Sequence, residues 1–159
     1  MKISESLNEA ICLQCSHELT NMVKYKMIAG YFDDLQLKNL AKKFYAQADE
    51  EYEHYSQMIE YLNLRLGGKY IPSEIEAPIV NLGSLVDVAN LYLETEISTT
   101  QSLQKIAEFI YSSTSYIDVA FIEKFLEIQI TEEDEADEFY KKASKVGDIV
   151  LFDATYGGG

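Results

Sequence analysis

GGKYIPSEIEAPIVNLG, residues 67–83, holds both of the chain's prolines and three of its eight glycines. That concentration of helix breakers leaves long stretches on either side with almost none. The 17 residues lack a periodic apolar pattern. A structureless loop of that length in a compact domain has a job. Upstream, from about Ser4 to Arg65, and downstream, from Ser84 to about Val146, apolar residues recur every three or four positions, the helix period. The upstream half breaks near Asp33-Asp34, close after Gly30, and the downstream half near Ser112-Ser113-Thr114-Ser115. Ser84 reads as an N-cap with Asp87 at N3, and Gly147 as a C′ residue that ends the last helix. The result is four helices of about 25–30 residues, each ~40 Å long. Short turns make the first and second helices antiparallel, and likewise the third and fourth. Residues 67–83 can then run back along the bundle. The expected fold is all-α, an antiparallel four-helix bundle with one long B–C crossover between its second and third helices. Residues 1–147 form the bundle and 148–159 a short C-terminal tail.

The chain has 159 residues, enough for one domain with its own core. It carries 13 Lys+Arg against 27 Asp+Glu, a net charge of −14. A nucleic-acid binder needs a basic surface, and so does a protein that docks on anionic lipid. Neither partner is expected. At 47% hydrophobic residues the chain is no disordered acidic tail. No apolar run approaches the ~20 residues of a membrane span. Met1-Lys2-Ile3-Ser4-Glu5-Ser6 lacks the apolar region of a signal peptide, so the expected location is cytoplasmic. Cys12 and Cys15 make a C-x-x-C with no second pair to complete a zinc site. Within a helix they read as small packing residues.

Each helix carries an apolar stripe interrupted by a carboxylate. The first runs through Ile11, Gln14, Glu18, Met22, Tyr25 and Ala29, and the second through Phe44, Ala48, Glu51, Tyr55, Met58 and Leu62. The third has Leu85, Ala89, Tyr92, Glu96, Thr99, Leu103, Ile106 and Ile110. The fourth has Phe125, Gln129, Glu132, Ala136, Phe139 and Ala143. A buried carboxylate without a partner is costly, and four at one level repel one another. No Lys or Arg stands at the same level of any stripe. Bound metal is the remaining way to neutralise them.

The spacing strengthens this reading. Glu51-x-x-His54 places a carboxylate and an imidazole on one helix face, and Gln129-x-x-Glu132 fills the equivalent slot on the fourth helix. Glu18 to Glu51 is 33 positions, and so is Glu96 to Gln129. The two halves repeat one device, a single Glu followed by a pair three apart. Di-metal carboxylate bundles use one Glu from each of two helices and Glu-x-x-His from each of the other two; the first half matches this, while in the second Gln129 replaces the Glu and Glu132 the His, and oxygen ligands with some imidazole suit Fe, Mn or Zn.

At these residues the chain resembles the ferritins, and most closely the non-haem bacterial type. The matching segments are Leu7-Asn8-Glu9, Glu18 with Tyr25 seven residues on, Gln47-Ala48-Asp49-Glu50-Glu51-Tyr52-Glu53-His54, Glu96 with Gln101-Ser102-Leu103, and Gln129-x-x-Glu132. The resemblance implies that Glu18, Glu51 and His54 hold the first iron of a ferroxidase centre. It places Glu51, Glu96 and Gln129 around the second, with Glu51 bridging and Tyr25 beside them. Glu132 and Glu50 match ligands of an additional iron position, whose other carboxylates fall here on Ile128 and Thr131. Tyr52 stands where a haem-ligating Met stands in bacterioferritins, so no haem is expected. A fifth helix after the bundle is expected to be short or missing, which would widen or rebuild the channel it lines.

The resemblance further implies the activity. A hollow homo-oligomer, usually of 24 subunits, oxidises Fe(II) with O2 or H2O2 and stores ferric mineral. Under that reading Glu53 and Glu60 are candidates to face the cavity, and Asp118 and Glu123 to line a pore. His17 points off its stripe and is expected at the surface or in an interface. Two other functions compete. One keeps the di-iron centre as an oxidase or peroxide scavenger without mineral. The other keeps only the bundle, as a non-catalytic scaffold.

Overall fold

Four long helices and one short one make up the computed structural model, which describes residues 3–113 and 116–157. They are α1 (Glu5–Asp34), α2 (Lys38–Leu64), α3 (Leu85–Tyr111), α4 (Tyr116–Ala143) and α5 (Ile149–Ala154). Thr114 and Ser115, within the expected break between the third and fourth helices, lie outside the described residues, as do Met1, Lys2, Gly158 and Gly159. No strand occurs among the described residues, and no helix there is long and apolar enough to cross a membrane.

Side chains explain most helix starts. Ser4 caps α1 by accepting from Leu7 N, and Ser84 caps α3 by accepting from Asp87 N at 3.1 Å. The expected break near Asp33-Asp34 is a tight turn in which Gln36 adopts φ 59. Gly30 interrupts nothing, since α1 runs through it to Asp34. Gly147 does not end α4, which stops four residues earlier at Ala143. Among the described residues, the glycine that takes a left-handed conformation is Gly67, with φ 69, just past α2. There the chain turns onto α1. Asn8 donates to Lys69 O at 2.9 Å and accepts from Lys69 N at 2.8 Å.

α2 has no cap of its own, because Leu37 precedes it. Asp153 of α5 supplies one from 113 residues away, accepting from Leu40 N at 2.8 Å and from the Asn39 amide at 3.2 Å. Phe152 is buried against Phe139, and Tyr156 packs on both rings. The fifth helix is therefore short but docked.

α1 pairs with α2 and α3 with α4, and α1 also touches α3. The apolar interior falls into two clusters. One gathers Tyr25, Phe32, Phe44, Tyr92, Phe139 and Phe152, and the other Ile11, Met58, Leu62, Ile110, Phe121 and Phe125. Between them lies a layer of buried polar side chains contributed by all four long helices. Cys12 and Cys15 are buried free thiols in the second cluster. Cys12 Sγ accepts from Ile71 N at 3.4 Å and so helps seat the crossover.

Candidate metal centre

The polar layer is built from helix register. Glu18, Glu51, Glu96 and Glu132 sit midway along their stripes, and each is at most 5% exposed. Ligand atoms of Glu18, Glu51 and His54 lie within 4.8 Å of one another. Those of Glu51, Glu96 and Glu132 form a second such group. Glu51 belongs to both, so its carboxylate lies between two places for a cation. His54 turns Nδ1 toward Glu51 Oε2 at 3.8 Å and Nε2 toward Glu132 Oε1 at 3.7 Å.

The surrounding hydrogen bonds fix these groups. Gln14 donates to Glu18 Oε1 at 3.0 Å, and Ser102 of α3 donates to Gln14 Oε1. Gln47 donates to Glu51 Oε1 at 3.3 Å. Tyr25 donates its phenol hydrogen to Glu96 Oε1. The Gln129 amide donates to Glu96 Oε2 at 2.8 Å and to Glu96 O at 3.0 Å. Gln14 and Gln47 each precede their carboxylate by four residues on the same helix, a signal present in the sequence and passed over there.

Three carboxylate oxygens in the layer have no hydrogen-bond partner, Glu18 Oε2, Glu51 Oε2 and Glu132 Oε2, and neither do Asn21 Oδ1 and Thr95 Oγ1. Buried acceptors left bare are costly. Among the described residues, no Lys or Arg forms an ion pair with any of the four carboxylates. Burial pushes the Glu18 carboxyl well above its usual range, and the neighbouring Glu51 carboxylate adds to the shift. Burial raises Glu51 to about 8 and Glu132 to about 9, with neighbouring carboxylates adding to both shifts. Protons thus hold the charge down when no metal is bound. A divalent cation would satisfy the bare oxygens and displace those protons, and the oxygen and imidazole donors fit iron.

Glu50 is exposed on α2, next to Glu132 on α4. Both border a cavity of 460 Å³ lined also by Glu53, His54, Gln57, Ile128, Thr131 and Glu135. Ile128 and Thr131 offer no carboxylate, but Glu53 and Glu135 bring two to the same cavity. Pairing α2 against α4 decides that, and spacing along one helix does not reveal it.

His17 is half-buried. Its Nε2 lies 2.8 Å from Thr99 Oγ1 on α3, and burial lowers its pKa to about 4. Asn21 also donates to Thr99 Oγ1, at 2.9 Å, so the pair is an internal link between α1 and α3. Lys43, half-buried on α2, spans the Phe44, Tyr92 and Tyr156 rings and is drawn by Glu135, Glu50, Glu138 and Glu96. It stands two turns from Glu51 along α2 and forms an ion pair with none of the four carboxylates.

A helical bundle with a crossover and a carboxylate layer defines a class, and comparison supplies the family. Residues 5–146 match the ferritin-like domain family, and the chain belongs to it. Among its relatives are bacterial non-heme ferritins. That of Staphylococcus aureus (strain USA300) is 26% identical over 146 residues, covering 92% of this chain and 87% of the relative. That of Staphylococcus haemolyticus (strain JCSC1435) is 26% identical over 147 residues, with the same coverage. The family is the one that its motifs resemble. A solved open pore ferritin from the hyperthermophilic archaeon Archaeoglobus fulgidus superposes with a TM-score of 0.91 at 23% identity, over 98% of both chains. At that identity the likeness concerns the fold.

Proposed function

We propose that this chain oxidises Fe(II) within its own bundle and stores the ferric product inside a homo-oligomeric cage, expected to have 24 subunits. The observation that carries the reading is the layer of buried carboxylates with three bare oxygens and no paired cation. Fe(II) is the substrate. Glu18, Glu51 and His54 hold one ion, and Glu51, Glu96 and Gln129 the other. Two ions side by side can together deliver two electrons to O2 or H2O2. Carboxylates, as hard anions, favour Fe(III) over Fe(II) and so favour the oxidation. Gln129 contributes no charge, which limits how tightly the ferric product is held. Its amide must turn from Glu96 for the carbonyl oxygen to act as a ligand.

The other residues serve these steps. Gln14 and Gln47 orient Glu18 and Glu51, and Tyr25 holds Glu96. Glu132 and Glu50 border the next position, where Glu53 and Glu135 replace the carboxylates absent at Ile128 and Thr131. Ferric ions leaving the centre would pass through that cavity. Asp118, Glu123 and Glu60 gain a pore or cavity role only in the assembled cage. The negative charge of the chain, −14, would draw cations toward such openings. No haem enters this scheme, and the reading implies a cytoplasmic protein.

Aerobic Fe(II) loading followed by size exclusion with iron detection tests it. Iron far in excess of a pair per chain, travelling with a particle much larger than one chain, is the expected result. Only a pair of irons per chain would leave an oxidase without storage. No bound iron would leave the bundle a scaffold.

A further inference from the structure

Lys43 is held in place without being paired. Its ammonium lies 5.8 Å from the Phe44 ring centroid, 5.5 Å from that of Tyr92 and 5.8 Å from that of Tyr156. The three rings come from α2, from α3 and from the segment after α5. Their electron-rich faces attract a cation. Rings carry no net charge, so this cage fixes the ammonium and leaves its charge uncancelled. Among the described residues, no carboxylate forms an ion pair with it. The carboxylates that act on it across a longer distance are Glu135 and Glu50, then Glu138 and Glu96. Glu138 is taken by Lys142 at 2.6 Å. Glu135 and Glu50 line the 460 Å³ cavity next to the centre. We propose that Lys43 is a fixed positive charge beside this cavity, and that it keeps the cavity a passage for ferric ions and not a holding site. The proposal rests on the ferroxidase reading above.

The need for such a charge follows from the lining. Glu50, Glu53, Glu132 and Glu135 all border the cavity, with His54 beside them. Carboxylate oxygens suit a hard cation. Left to themselves they would hold a ferric ion more firmly than a ferrous one, because attraction grows with the charge of the ion. Product would then stay next to the centre and obstruct the following pair. An ammonium nearby opposes this in proportion to the same charge. It repels a trivalent ion half as much again as a divalent one. Its effect is therefore greatest on the product and least on the substrate.

A mobile lysine would not serve. Its ammonium would swing onto Glu50 or Glu135, both exposed, and any arriving metal would push it aside, since exposed ion pairs are weak. The cage prevents that because its rings are themselves packed. Phe44 meets Tyr92 edge-on at 5.1 Å, and Tyr156 sits on Phe139 at 5.7 Å and on Phe152 at 5.2 Å. The half-buried stem of Lys43 covers apolar surface while the head stays charged. The rival explanation is packing alone, in which the stem seats Tyr156 and the charge is incidental. The two differ in what a neutral side chain of similar length does.

The test uses the full-length protein freed of metal. Zn(II) fills the two central positions, and Tb(III), a trivalent ion with no redox step here, is titrated by tyrosine-sensitised luminescence. Fe(II) oxidation by the Zn-free protein is followed by stopped flow over two successive additions. Lys43→Met keeps the stem and removes the charge, while Lys43→Arg keeps the charge. Lys43→Met is expected to bind Tb(III) at least about tenfold more tightly than wild type, the scale of one charge acting on a trivalent ion at a partly solvated site. Glu135→Gln added to Lys43→Met should remove that gain, and Lys43→Arg should match wild type. The second Fe(II) addition should be oxidised more slowly relative to the first in Lys43→Met. Equal Tb(III) affinity in wild type and Lys43→Met, a gain that survives Glu135→Gln, the same gain in Lys43→Arg, or an unslowed second addition overturns the role of Lys43 and spares the ferroxidase. Absence of Fe(II) oxidation in the wild type overturns the ferroxidase reading, and the role of Lys43 with it.

Discussion

Glu51 is the residue on which the centre turns, because it alone belongs to both ligand groups. Glu51→Ala should nearly abolish rapid Fe(II) oxidation in stopped-flow absorbance, and a near-normal rate would sink the centre. Gln129→Glu adds a fifth carboxylate to the layer and should slow transfer of ferric product to the mineral without stopping the first turnover. Single-turnover oxidation followed by a second Fe(II) addition separates the two effects, and an undiminished second turnover would count against the role given to Gln129. Much at this scale was legible in the sequence. The carboxylates broke an apolar stripe, and their spacing repeated. His17 was not legible, because its partner Thr99 lies on another helix and nothing in the spacing pairs them. Glu135, and its meeting with Glu53, escaped for the same reason, since their shared cavity exists only once α2 and α4 are aligned.

Among the elements, α5 has more influence than its six residues suggest. It caps α2 through Asp153 and closes the aromatic cluster with Phe152. Asp153→Ala should cost about 1 kcal/mol of stability, the usual scale for a lost N-cap. Chemical denaturation of the metal-free protein measures it, and no change would show that Asn39 and Leu40 are satisfied otherwise. The ends of α1 and α3 were readable because Ser4 and Ser84 are local caps. The start of α2 was not, since its cap comes from the other end of the chain. The end of α4 was misplaced because Gly147 looked like a stop signal. In fact the helix gives way at Ala143, and Ser144, Lys145 and Val146 still bond back to Tyr140, Lys142 and Ala143.

For the molecule as a whole, the polar layer sets a pH dependence. Glu18, Glu51 and Glu132 have raised pKa values when folded, for burial favours their neutral forms, and ordinary values near 4.5 when unfolded. Between those limits the folded metal-free protein binds more protons than the unfolded chain, so stability falls as pH rises. The melting temperature of the metal-free protein should therefore drop from about pH 5 to about pH 9, with a shallower slope in Glu132→Gln. A flat profile in the wild type would contradict the raised carboxyls. Zn(II), added at neutral pH, should release protons and raise the melting temperature, which calorimetry in buffers of different ionisation enthalpy reads directly. The polar layer also separates the two apolar clusters. Proteases that act on transiently opened chains sample the less stable form more often. Supply of the metal would then govern how long each copy survives in the cell, so that copies without cargo are cleared first.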